Sequence, residues 1–252
     1  MKLFTRKDPV TEQFVRETLQ ELRDALSVSL GEQLISLIVY GDYVKPGHFQ
    51  AERSHVNLML VLQKVDCPTL DQFADVVRGA ERKIRLTTMV VTADDLKSSC
   101  DVFPIKFHDM QSHHGLLAGS DVMSDLEISD DHLRLRCEQE LKNQMIRLGT
   151  RYLHMSGPAE LWNALSDSAS GLLRVLHACL TVKNGYTPEA DTDVVKMFGE
   201  DFGLKIDAAS RILELWDANT VPSDTEARDL FGRFMQLVRE AAHAVDQMED
   251  AA

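Results

Sequence analysis

Two polar segments, each next to an apolar run, carry the residues of this sequence that could do chemistry. They are Gly41, Asp42, Ser54, His55 and Asn57. A glycine directly after a strand lets backbone N–H groups approach a phosphate closely. Because alternate residues on a strand face the same side, His55 and Asn57 would present their side chains together. The alternative is that Gly41 only turns the chain and that His55 and Asn57 are solvated residues on an open sheet face.

Short apolar runs rich in β-branched residues predict the strands that must position these segments. The predicted strands are Leu34–Tyr40, His55–Leu62, Leu86–Val91 and Phe103–His108. Pro104 restricts the fourth run to a sheet edge or to the start of a strand. On that strand the side chains of Lys106 and His108 would share one face. If this face met the face of His55 and Asn57, the two imidazoles could bind a transition metal.

Helical periodicity separates these strands. Asp8 and Pro9 are expected to begin a helix whose buried face carries Val15, Leu19, Leu22 and Leu26, with Gly31 as its stop. A second helix is expected to begin at a capping box of Thr69 and Gln72 and to bury a stripe that ends at Ile84. Thr92 and Asp95 predict one further helix start. The short segment around His113 and His114 is expected at the surface.

From about Asp130 onward the strand patterns disappear and helical patterns continue to the end. Cys137, Leu141, Met145, Leu148 and Tyr152 form a long helical seam. Further helices are predicted over Ala159–Val182, Asp191–Glu200, Asp207–Trp216 and Thr225–Met248. The sequence therefore predicts an α+β protein, with a small mixed-sheet domain over residues 1–122 and an all-α helical bundle over residues 123–252.

Composition narrows the classes of partner. The 252 residues include 27 Lys and Arg against 40 Asp and Glu, for a formal net charge of −13. This acidity argues against nucleic acid and anionic lipid as partners. The longest apolar run is too short to span a bilayer, and the polar start forms no secretion signal. Four scattered cysteines then predict free thiols in a reducing cytoplasm.

The segment from Val39 to Val61 resembles the start of the nucleotidyltransferase fold shared by DNA polymerase beta and kanamycin nucleotidyltransferase. In that superfamily a strand ends in Gly-Ser or Gly-Gly, a second strand carries two carboxylates one residue apart, and a later strand supplies a third. The resemblance implies two Mg²⁺ ions that bind a triphosphate and activate an acceptor hydroxyl. A second resemblance, carried by Phe103–Met110 and Leu133–Glu138, is to a bacterial group of kanamycin-nucleotidyltransferase-like proteins of unassigned role.

The chain departs from the superfamily at its carboxylates. Aligned on Ser54 and the strand that follows, His55 and Asn57 stand where the two strand carboxylates would be. Neutral imidazole and amide groups cannot offset the dehydration of Mg²⁺, which prefers hard oxygen ligands. No magnesium or other cofactor is therefore expected, and metal-dependent transfer is expected to be lost.

Two charges change as well. Asp42 replaces the small residue after Gly41, and its anionic side chain would repel a triphosphate. Lys106 is the candidate for the third carboxylate position, which would add a positive charge where the superfamily has a negative one. Gly41, Asp42, Ser54, His55, Asn57 and Lys106 are thus interpreted as vestigial active-site positions.

Three functions follow from the sequence. The first is a binding or regulatory module that has lost catalysis and holds a nucleotide or small molecule in a cleft between the domains. The second is an active nucleotidyltransferase that moves a nucleoside monophosphate to a small hydroxyl acceptor or a protein, with Asp42 and Asp109 as its only nearby carboxylates. The third is a non-enzymatic interaction protein, either one half of a toxin–antitoxin-type pair or a homodimer.

Overall fold

The computed structural model describes residues 10–45, 49–51, 54–155 and 157–248. The chain divides into two compact units. The first comprises Met1–Cys100 and Lys106–Glu127, and the second comprises Asp101–Ile105 and Ile128–Ala252. The first unit contains a sheet with flanking helices and the second is helical, so the predicted α+β class is confirmed.

A four-stranded mixed sheet organises the first unit. Its strands are β1 (Leu34–Tyr40), β2 (Val56–Leu62), β3 (Leu86–Thr92) and β4 (His114–Gly119), in the order β3-β2-β1-β4. β1 is antiparallel to both β2 and β4, while β2 is parallel to β3. The first three strands were predicted from their β-branched apolar runs, and those predictions are confirmed.

The predicted fourth strand over Phe103–His108 is wrong, because Pro104–Ser112 forms a helix, α5. Proline suits the first turn of a helix, where the backbone N–H has no intrahelical partner. Phe107 and Met110 are both buried, which fits helical spacing better than alternation. The fourth strand begins instead at His114, which is half-buried rather than at the surface as predicted.

The described residues of the first unit contain four further α-helices. They are α1 (Glu12–Leu30), α2 (Cys67–Asp71), α3 (Ala74–Glu81) and α4 (Ala93–Ser98). α1 does not begin at Pro9, because the Thr11 side chain caps it by accepting a hydrogen bond from the Phe14 amide. Asp8 and Pro9 lie outside the described residues. The predicted buried face of α1 is confirmed, and so is the predicted end of this helix at Gly31.

The single helix predicted from Thr69 to Ile84 is in fact two helices. Asp66, not Thr69, caps the first of them by accepting a hydrogen bond from the Thr69 amide. The chain leaves helical geometry at Phe73, whose ring is buried in the core, before α3 begins. The predicted start after Thr92 is confirmed, since Thr92 and Asp95 form a reciprocal capping box.

The two faces of the sheet are both covered along most of β2. On one face Leu58, Leu60 and Leu62 join the apolar side chains of α1 in a continuous core. On the other face Met59 and Val61 are fully buried. Asn57, at the start of β2, is only partly buried. The polar end of the strand is therefore the part of this face that solvent can reach.

The described part of the second unit contains five long helices: α6 (Asp130–Leu153), α7 (Pro158–Asn184), α8 (Asp191–Phe202), α9 (Asp207–Asp217) and α10 (Asp224–Asp246). They share one apolar core that includes Phe198, Phe231 and Phe234, so the predicted helical bundle is confirmed. None of the helices in the described part of the chain has the length and apolar character needed to cross a bilayer.

Candidate functional site

One cross-strand row of side chains marks the polar end of the sheet. Asn57 on β2 pairs with Tyr40 on β1 and with Thr87 on β3, and Tyr40 pairs with His114 on β4. Directly paired residues point to the same face of a sheet. His114, Tyr40, Asn57 and Thr87 therefore lie side by side, at the edge where β1 ends and β2 and β3 begin.

Gly41 brings the chain turn beside this row. It has a φ of +76°, and with Asp42 and Tyr43 it forms a single 3₁₀ turn. The Gly41 amide donates to the carbonyl oxygen of His113 at 3.1 Å, which ties the turn to the segment before β4. A Cβ placed on Gly41 would lie 3.0 Å from Nδ2 of Asn57. The structure thus brings together the two polar segments that the sequence separates.

His55 and Asn57 lie on the same side of the sheet, although β2 begins at Val56 rather than at His55 as predicted. The Nδ1 atom of His55 is 3.3 Å from the Thr87 hydroxyl, which places the exposed imidazole beside the row. Within the described residues the Asn57 amide has no hydrogen-bond partner. Both side chains are therefore available to a ligand.

Lys106 does not lie on a strand, because it belongs to α5, and so it shares no strand face with His108. Its ammonium nevertheless reaches the sheet, with Nζ 3.3 Å from the Met89 thioether sulfur. Met89 follows Thr87 by two residues on β3 and therefore faces the same side. The predicted element was wrong, but the positive charge lies on the face that carries Asn57.

Thr87 is the residue that sequence reasoning missed. With Lys106 on a helix, the later strand that lies beside β2 is β3, and Thr87 stands directly opposite Asn57 on it. The Leu86–Val91 run was visible in the sequence, but its parallel pairing with β2 was not.

Ser54 and Asp42 have local roles. The Ser54 hydroxyl accepts a hydrogen bond from the Gln50 amide, and the Ser54 amide donates to the Gln50 carbonyl oxygen at 2.7 Å. Ser54 therefore closes a turn in the loop before β2. Asp42 is exposed in the 3₁₀ turn, and no described residue pairs with its carboxylate. Among the described residues, no opposite charge is therefore paired with Asp42 next to Gly41.

Asp109 is committed to a largely buried ion pair. Its Oδ1 accepts from Nζ of Lys45 at 2.9 Å, and the two side chains are only 18% and 16% exposed. Burial disfavours the charged form, but the hydrogen bond from His113 and the charge of Lys45 outweigh it and hold the pKa of Asp109 well below its ordinary value. The pair joins the segment after Gly41 to α5, so Asp109 acts as an anchor. Asp109 is helical, since it belongs to α5.

His114 closes one end of the row. Its Nδ1 faces the Gln111 carbonyl oxygen at 3.0 Å, and its Nε2 faces the Asp121 carboxylate at 3.1 Å. A hydrogen bond from Ser124 and a further one from His114 lower the pKa of Asp121 to about 2, against the effect of burial. Both ring nitrogens of His114 are thus engaged within the protein.

The residues of this row do not fit magnesium. The row and the adjacent His55 offer an amide, two imidazoles, a phenol and a hydroxyl, whereas Mg²⁺ is usually held by one or two carboxylates. Within residues 10–45, 49–51, 54–155 and 157–248, no group of three or more His, Cys, Asp or Glu side chains could hold a metal ion.

The mixed sheet, the glycine turn after β1 and the helical second unit define a nucleotidyltransferase-like fold. Spectinomycin adenyltransferase AAD(9) from Enterococcus faecialis, solved with ATP and spectinomycin, has a similar structure, with a TM-score of 0.56 over 92% of this chain and 99% of that chain. The two sequences are 12% identical, so the likeness establishes the fold alone. No protein-family model matches the chain, and no curated protein matches it in sequence.

Proposed function

We propose that this protein is a nucleotidyltransferase-like module that has lost metal-dependent nucleotidyl transfer and acts by binding a ligand at the row around Asn57. The observation that carries the proposal is the chemistry of that row. His55, Asn57 and Thr87 lie on one side of the sheet. By the resemblance, this is the side on which the superfamily would hold its carboxylates, and none of the three residues carries a negative charge. A site of this composition favours direct binding of a small molecule or nucleotide over metal-assisted displacement.

Pyrophosphate release tests the loss of transfer. Purified protein is incubated with labelled nucleoside triphosphates and Mg²⁺ or Mn²⁺, with and without spectinomycin as a hydroxyl acceptor. We expect no release above the level without protein. Turnover that His55→Ala abolishes, and that His132→Ala leaves intact, would overturn the proposal. His132 is an exposed histidine of α6 and serves as the matched control.

An active nucleotidyltransferase is the second candidate, favoured by the coverage of nearly the whole adenyltransferase chain. It would need carboxylates from elsewhere, and the candidates are Asp42 and Asp109. Asp109 already has Lys45 and His113 as partners, which leaves Asp42 as the exposed carboxylate at the turn. Asp42→Asn separates the two functions, because it abolishes transfer in this second candidate and removes only an unfavourable charge in the first.

A further inference from the structure

Asn57, His55 and Lys106 place hydrogen-bond donors on the same side of the sheet, at or next to its polar end. The Asn57 amide has no partner among the described residues. The Thr87 hydroxyl can donate to Nδ1 of His55, which leaves the proton on Nε2 free to donate outward. Among the described residues the Lys106 ammonium has one hydrogen-bond partner, a thioether sulfur, which is a weak acceptor. The face therefore offers donors and a positive charge where the superfamily offers carboxylates.

We infer that this face binds the phosphate chain of a nucleoside triphosphate directly, without a divalent cation, and that Lys106 supplies the counter-charge. The inference rests on the proposed function and names its ligand class. An ammonium carries three donors and a full charge, and its hydrogen bonds to phosphate oxygens are charge-assisted. A cation fixed on the protein thus replaces the cation that accompanies a triphosphate in active relatives.

The neighbouring charges decide where on the face the phosphates lie. Asp42 is exposed beside Gly41 and repels an anion at the turn itself. The charge of Asp109 is compensated by Lys45, so it opposes an anion less. The phosphates are consequently expected over Asn57 and Lys106 rather than against the backbone of Gly41.

Calorimetric titration without metal tests this arrangement. ATP and inorganic tripolyphosphate are titrated separately into the full chain in EDTA and again in Mg²⁺. We expect at least one of the two probes to bind in EDTA. Lys106→Met should weaken that binding by about tenfold or more, since a hydrogen bond to a charged group is lost, while Lys106→Arg should restore most of it. Lys97→Met, at an exposed lysine of α4, should leave it unchanged.

A further variant tests whether the Asp42 carboxylate repels the bound phosphates. Asp42→Asn should tighten binding in EDTA, because it removes the anion beside Gly41. The inference is overturned if both probes need Mg²⁺, if neither binds, or if Lys106→Met binds as tightly as the wild-type chain. None of these outcomes involves pyrophosphate release, so none of them would affect the proposed loss of nucleotidyl transfer. Pyrophosphate release, conversely, overturns the proposed function whatever the titrations give.

Discussion

The amide nitrogen of Asn57 lies 3.0 Å from the point that a Cβ on Gly41 would occupy. Asn57 belongs to β2, whereas Gly41 begins the 3₁₀ turn after β1 and adopts a left-handed φ of +76°. Absence of a side chain at Gly41 therefore gives the Asn57 amide its place beside the turn. The candidate site depends on this close approach, which makes Gly41 a structural requirement whether or not its backbone meets a phosphate.

Gly41→Ala should lower the free energy of unfolding by about 1–2 kcal/mol, because an L-residue is strained at this φ. The new methyl group would also displace the Asn57 side chain. Urea denaturation measures the change. Gly149→Ala is the control, since its Cβ meets nothing within 4 Å and α6 is helical there. That control should gain up to about 1 kcal/mol, and equal effects of the two substitutions would contradict the account.

Asp109→Asn should destabilise the protein by about 1–3 kcal/mol at neutral pH, because it leaves the Lys45 ammonium without its carboxylate in a largely buried place. The pKa of Asp109 is lower in the folded state than in the unfolded state. Its stabilising contribution is therefore complete above the unfolded pKa of about 3.9 and is lost as the pH falls below it. Denaturation at several pH values checks this.

The wild-type advantage over Asp109→Asn should thus be constant from pH 7 to about pH 5 and shrink below about pH 4. Asp71→Asn, at an exposed carboxylate of α2, should change stability by no more than about 0.5 kcal/mol. An advantage that grew on acidification would show that the ion pair does not hold the segment after Gly41.

Ser36→Ala should leave stability unchanged or raise it by up to about 1 kcal/mol, because the Ser36 hydroxyl is buried without a hydrogen-bond partner. Ser168→Ala is the matched comparison. The Ser168 hydroxyl is also buried but accepts from the Arg151 guanidinium at 3.1 Å, so its loss should cost about 1 kcal/mol. Thermal denaturation of both variants measures the two changes in stability. A larger loss of stability in Ser36→Ala than in Ser168→Ala would contradict the assignment.

Local sequence patterns predicted most of the fold. The run Leu34–Tyr40 is short, apolar and β-branched, and no other element suits it. The side chains of Thr92 and Ser223 each accept a hydrogen bond from the backbone amide three residues later. Such caps indicate helix starts without tertiary information. The predictions that succeeded all rest on interactions between residues close in sequence.

The failures required information from distant residues. Phe103–His108 alternates like a strand, yet it is helical because buried contacts through Phe107 and Met110 outweigh the local pattern. The run from His114 to Gly119 is short and contains two glycines, so it gives a weak strand signal until it pairs with β1. Asn57 was proposed from the resemblance of the segment that follows Ser54, whereas its neighbour Thr87 is recognised only from the parallel register of β2 and β3.

The location of manganese in crystals tests the central claim most directly. Crystals are soaked with Mn²⁺ and a non-hydrolysable ATP analogue, and anomalous diffraction locates the metal. We predict no manganese within coordinating distance of His55, Asn57 or Thr87. Two manganese ions bound by these residues next to the triphosphate would contradict the account, because they would show that the row can hold the catalytic cations without its carboxylates.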